Sequence, residues 1–182
     1  MSSVIIGGDI SGSCTLQAPA VSGSTTLTLP ATSGTIITTG NIPTGSILQV
    51  VQGITTTAVS NSSSAFANTG LTASITPSSA SNKILVIINH PHCLKSSTNS
   101  SHAIAFWLQK NSANLSQWAT YVGYTGTAME LYFSTAYTYL DSPATTSSTT
   151  YSTTFSSYAN ASNVAVQANS MPSTITLMEI KG

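Results

Sequence analysis

The chain has 182 residues, room for one domain of ordinary size and an extension, yet only 4% of them are charged, none is arginine and the formal net charge is zero. With no basic stripe, nucleic acid and the anionic surface of a membrane are excluded as partners. A hydrophobic share of 41% argues against general disorder, and the wealth of Thr, Val, Ile and Tyr between frequent turn residues predicts an all-β protein.

Residues 1–12 carry a short apolar run, Val4, Ile5 and Ile6, before the turn residues Gly7-Gly8-Asp9. This segment is expected to anchor the chain in something larger. Residues 13–45 follow a different rule: Ser13 to Gly23 is an eleven-residue unit written again as Ser24 to Gly34, with seven of eleven positions identical, and a degraded third copy runs from Thr35 to Gly45. Each unit offers a few extended residues, a proline that cannot donate to a ladder and a Ser-Gly turn. Its main apolar side chains are Leu16, Val21, Leu27 and Leu29. Ordering some twenty residues costs about 1 to 2 kcal/mol each, more than so few side chains return. Copies of the same chain wound about a common axis are the simplest source of the missing contacts, so an extended β-repeat stalk is expected, with Val4, Ile5, Ile6, Leu16, Leu27 and Leu29 as anchor and assembly residues.

From residue 46 to 182 strands recur at the spacing of a β-sandwich. Expected strands are Ile47 to Ile54, Ala65 to Ile75, Lys83 to His90, Ala103 to Lys110, Ser116 to Tyr124, Glu130 to Tyr139, Thr149 to Ala159, Val164 to Gln167 and Thr174 to Ile180. The run Lys83 to Ile88 is expected at the centre of a sheet and buried on both faces. In the last strand Ile175, Leu177 and Glu179 share one face, Thr176, Met178 and Ile180 the other, and one face is expected against the strand's own core and the other against a neighbouring subunit. The tracts Ser60 to Ser64, Ser96 to Ser101 and Thr145 to Thr150 are expected loops, and no segment has a helical period with caps. No window resembles a signal peptide or reaches the ~20 apolar residues of a membrane span, so synthesis in a bacterial cytoplasm is expected.

The ionisable groups are few: Asp9, Glu130, Asp141, Glu179, four lysines and three histidines. Glycoside hydrolysis needs two carboxylates about 5 to 9.5 Å apart, and general acid/base work needs titratable pairs, so no enzymatic activity and no cofactor are expected. Asp141 is expected to close the Asp-Ser-Pro turn. His90-Pro91-His92-Cys93 places two imidazoles two residues apart, on one face if the segment is extended, and three chains would bring six to an axis. Pro91 argues instead for a strand end, so the assigned metal set is empty and His90 and His92 are its only candidates. Cys14 and Cys93 are expected to be free thiols. Trp107, between Phe106 and Leu108, is assigned to the core; Trp118, Tyr121 and Tyr124 are the candidate glycan contacts, flat amphipathic rings that stack on sugars.

Particular residues also suggest a family. Thr15 to Ala20, Thr26 to Ala31 and Gly34-Thr35 resemble the repeat of tail-fibre and related structural proteins of tailed phages, especially phages of aquatic bacteria. Leu71 to Ser79 with Lys83 to Val86, Tyr139 to Ser147 with Tyr151, and Ile175 to Ile180 resemble the C-terminal domain of the same proteins. The resemblance implies a homotrimeric virion appendage, N-terminus on the particle and a jelly-roll-like β-sandwich head outward. The chain is short for a tail fibre, which leaves room for a head fibre or capsid decoration. Where such heads carry an arginine in the middle strands, Leu108-Gln109-Lys110-Asn111 stands here. The expected function is host-surface adhesion without catalysis, with other virion proteins and a host glycan as partners; a polysaccharide-degrading spike is the alternative from another class.

Overall fold

The computed structural model describes residues 3–7, 11–17, 31, 33, 37, 38, 40–96, 100–158 and 162–182. They fall into two compact units, Met1–Ile37 and Thr38–Gly182. In the first, β1 (Ser3–Gly7) pairs antiparallel with β2 (Ser13–Gln17), which puts Val4 opposite Leu16 and Ile5 opposite Thr15. Ile5 and Ile6 are exposed. Leu27 and Leu29 lie outside the described residues.

The second unit contains β3 (Ile47–Thr55), β4 (Val59–Asn61), β5 (Ala67–Ile75), β6 (Lys83–Lys95), β7 (His102–Lys110), β8 (Ala113–Thr125), β9 (Leu131–Asp141), β10 (Thr149–Tyr158), β11 (Val164–Val166) and β12 (Ser173–Ile180). Among the described residues there is no α-helix, only a 3-10 turn at Ala168–Ser170. One sheet has the order β5-β10-β7-β8; the other runs β3-β12-β6-β11-β4, with β9 also paired to β6. Every pairing is antiparallel.

Period-two alternation explains how the two sheets enclose a core. Thr69, Leu71, Ala73 and Ile75 of β5 are buried while Asn68, Gly70, Thr72 and Ser74 face out. Ile175, Leu177 and Glu179 of β12 are buried, so theirs is the face of the last strand that enters the core. Ile84, Val86 and Ile88 of β6 join Leu71, Ile75, Leu108, Tyr151, Ile175 and Leu177 in one cluster. A second gathers Cys93, Ile104, Phe106, Phe155, Val164 and Val166, and Trp118 packs against both. Where the sheets meet at one side, β3 and β5 approach so closely that a Cβ on Gly53 would lie 2.0 Å from the Thr72 carbonyl oxygen.

Four expectations need correction. The Lys83 to Ile88 run is central, between β12 and β9, but only one of its faces is buried: Leu85 and Ile87 are half-buried on the outer side, where an antiparallel sheet lacks the covering layer of helices that a parallel one has. The strand does not stop at His90; it runs through Pro91 to Lys95, because the proline falls in a bulge between His90 and Cys93 where no ladder donor is needed. Within the expected Ser60 to Ser64 loop, Ser60 and Asn61 belong to the short edge strand β4. Trp107 is half-buried on the outer face of its sheet, edge-on to Phe66 at 6.5 Å, since Phe106 and Leu108 take the two inward positions beside it.

Candidate functional site

Several of the groups that chemistry would need are held in internal contacts. His90 is fully buried, stacked on Phe106 with ring centroids 5.5 Å apart. Its Nε2 lies 3.0 Å from Thr153 Oγ1 and its Nδ1 2.9 Å from Ser173 Oγ. The Gln167 amide completes the cluster in the orientation where its nitrogen donates to the Thr57 and Thr69 carbonyls, 3.2 Å each, and its oxygen faces His90 Nδ1 and Ser173 Oγ. That arrangement makes Nδ1 the protonated nitrogen and Nε2 an acceptor for the Thr153 hydroxyl. Burial without a charged partner pushes the imidazole down to about 4. His92, two residues on, has φ 59, packs on Tyr132 and sits 3.0 Å from the Ala168 carbonyl through Nδ1. The bulge therefore separates the two imidazoles that a regular strand would align, and no group of three or more His, Cys, Asp or Glu gathers among the described residues.

Two carboxylates, Asp141 and Glu179, behave similarly, while Glu130 is exposed. Asp141 does not close its turn; it accepts from Lys110 Nζ at 2.9 Å and from the Tyr151 hydroxyl at 2.7 Å, a buried partner set that outcompetes a local turn bond. Burial, and then the hydrogen bond to Asp141, pushes the Tyr151 hydroxyl well above the usual phenol range. Glu179 meets neither Lys181 nor any other cation among the described residues. Burial of its carboxyl would raise its pKa, but donors from Asn82 (2.5 Å), Gln49 (2.6 Å) and the Ser78 side chain (2.8 Å) and backbone (2.7 Å) outweigh that and hold it below the ordinary value. Lys95 is buried with its ammonium on the Thr125 hydroxyl and the Met129 carbonyl, the latter at 3.1 Å.

Cys93 is buried and free, and burial pushes its thiol up to about 12. A protein carrying Cys14→Ser is thus expected to consume no dithiobis-nitrobenzoate while folded and one equivalent when unfolded in guanidinium. A native thiol reacting within seconds would contradict this placement.

The structure disperses the three aromatic candidates. Trp118 stacks with Phe106 at 5.1 Å and Tyr137 at 5.3 Å inside the sandwich, its Nε1 donating to Thr135 Oγ1 at 3.4 Å. Tyr121 and Tyr124 are 56% and 50% exposed and meet edge to face. Tyr158 of β10 joins them, accepting from the Tyr121 hydroxyl at 2.7 Å. Residues three apart should lie on opposite faces; Tyr121 and Tyr124 come together because β8 is a bulged edge strand, with one extra residue between Val122 and Thr125 and Gly123 at φ 69. Nothing in the sequence marked Tyr158 as their partner.

The most extensive surface feature is the outer face of the sheet that contains β6. Val50, Met178, Leu85 and Leu140 form one cross-strand row over β3, β12, β6 and β9. Val50 and Leu140 are 55% and 51% exposed, and Ile47 and Ile54 on the same strand face are exposed further still. Lys83, opposite Ile180, is the only charged side chain among the described residues that these ladders place on the outer face. Compared with known proteins, the chain matches no protein-family model and no curated protein sequence.

Proposed function

We propose that this chain is a non-enzymatic structural component of a phage particle: a short homotrimeric fibre, anchored by its N-terminal unit and presenting the β-sandwich as a jelly-roll-like adhesive head. The single observation that carries the reading is the apolar Val50, Met178, Leu85 and Leu140 row with Ile47 and Ile54 on the same face, set among uncharged polar side chains such as Gln52, Thr176 and Thr138 and nearly free of charge. Turning such a face toward an axis shared by three copies desolvates almost no ions and returns about 25 cal/mol for each Å² of apolar surface enclosed. A surface with so few charges is poorly protected against association, which suits a fixed place in an assembly. The proposed role needs no catalysis, and Asp141, Glu179, His90 and Cys93 serve internal contacts. Adhesion then works by avidity, many weak contacts multiplied by copy number.

The test is mass spectrometry of purified particles. Presence at the copy number of six or twelve trimers supports the tail fibre; a much larger number moves the same trimer to the capsid as a head fibre or decoration. Absence from the particles would overturn the proposal.

A further inference from the structure

We infer that the head holds one neutral sugar residue of a glycan in a hollow on the outer face of the β5-β10-β7-β8 sheet, away from the tyrosines. The inference deepens the adhesive half of the proposed function and rests on it.

The hollow is formed by the ladder itself. Ser152 pairs with Thr72 and Thr154 with Asn68, so a single residue of β10, Thr153, faces three of β5, Thr69 to Leu71. The surplus bows β5 outward, with Gly70 at φ 80 taking the turn that a side chain would resist. Thr69 repairs the broken ladder from within: its hydroxyl bonds the Thr153 carbonyl at 3.1 Å and accepts the Leu71 N–H at 3.0 Å. What remains outside is a cavity of about 270 Å³ lined by Asn68, Gly70, Thr72, Gln109, Ser112 and Ser152, with Leu71, Thr150 and Thr153 completing its wall. This is room enough for one pyranose ring and its hydroxyls.

The lining selects the chemistry. No charged side chain borders the hollow, so neither an ionised sugar nor a phosphate would find a counter-charge there. Its polar groups are amides and hydroxyls that both donate and accept, as vicinal diols require. Among the described residues the side chains of Asn68, Ser112 and Ser152 have no hydrogen-bond partner within the chain, which leaves them available to a ligand. Gln109 is steadied by its bond to Asn114 Oδ1 at 2.9 Å. One rung along the same face, Trp107 lies opposite Thr154 and is braced edge-on by Phe66, an aromatic shoulder for the apolar face of a ring.

The experiment is ¹⁵N chemical-shift mapping of the full-length protein with methyl glycosides of glucose, galactose, mannose and N-acetylglucosamine at millimolar concentration. At least one is expected to shift amides within 68–72, 109–112 and 150–153. Asn68→Ala, which removes no internal bond, should weaken that response about tenfold, and Ser152→Tyr, which fills the hollow, should abolish it while thermal unfolding stays unchanged. Shifts centred on Tyr121, Tyr124 and Tyr158 would overturn this site but leave an adhesive head standing. No shift with any of the four, or a response indifferent to both substitutions, would overturn the inference without bearing on whether the protein belongs to a particle.

Discussion

Gly53→Ala is expected to lower the unfolding free energy by about 3 kcal/mol or more and the melting temperature by roughly 10 °C. The new methyl group would lie 2.0 Å from the Thr72 carbonyl oxygen and 2.9 Å from its carbon, with the Ile175 Cγ2 methyl at 3.1 Å. A flexible side chain could swing aside. Backbone cannot, so β3 and β5 must part where the two sheets close. Ile175 opposes Gly53 directly in the β3-β12 ladder, which means the displacement would enter the core cluster as well. Gly126→Ala is the control: nothing lies within 4 Å of its added Cβ, and its stability should change by less than about 0.5 kcal/mol. Equal melting temperatures for the two variants would contradict the close approach of the sheets.

Acid is expected to weaken the head in a window set by His90. Its folded pKa of about 4 lies below the ordinary 6.5, so between those values the unfolded chain binds a proton that the native one refuses. Stability is complete above pH 6.5 and falls as pH drops toward 4, by about 3 kcal/mol for a shift of this size. The residues that meet the ring, Thr153, Ser173, Gln167, Phe106 and Trp118, include no carboxylate that could stabilise the imidazolium. Glu179, whose pKa is lowered, gives way only at lower pH, below the ordinary carboxyl value of 4.5. Urea denaturation at pH 7, 5.5 and 4.5 measures the effect, and His90→Gln should flatten the curve across that range. A wild-type protein equally stable at pH 7 and 4.5 would contradict the neutral buried imidazole.

Strands were legible wherever side chains alternate, as in Ala67–Ile75 and Ser173–Ile180, because the parity of an apolar residue fixes which face it takes. Parity failed at bulges. His90 keeps the inward parity of Ile84, Val86 and Ile88, but the extra residue after it takes His92 to a different environment, and another beside Gly123 brings Tyr121 and Tyr124 together. No composition or spacing rule locates such residues, because the ladder partner decides where a strand can slip. The hollow at Thr69–Leu71 was hidden for the same reason. The two tryptophans were hard for a different one: Trp107 stands in the more apolar neighbourhood yet faces out, while Trp118, between glutamine and alanine, stacks in the interior. Carboxylate roles depended on partners distant in sequence, Lys110 and Tyr151 for Asp141, Asn82 and Gln49 for Glu179.

The exposed row on the β3-β12-β6-β9 face is what the proposed assembly depends on, and sedimentation equilibrium of the full-length protein tests it most directly. The wild-type chain is expected at three times its 18.7 kDa mass at micromolar concentration, and Val50→Lys combined with Leu140→Lys to dissociate at markedly lower dilution than the wild type, with an unchanged β-sheet circular dichroism spectrum. A wild-type protein that sediments as a single chain, or a doubly substituted one that associates as tightly as the wild type, would contradict self-association through this face.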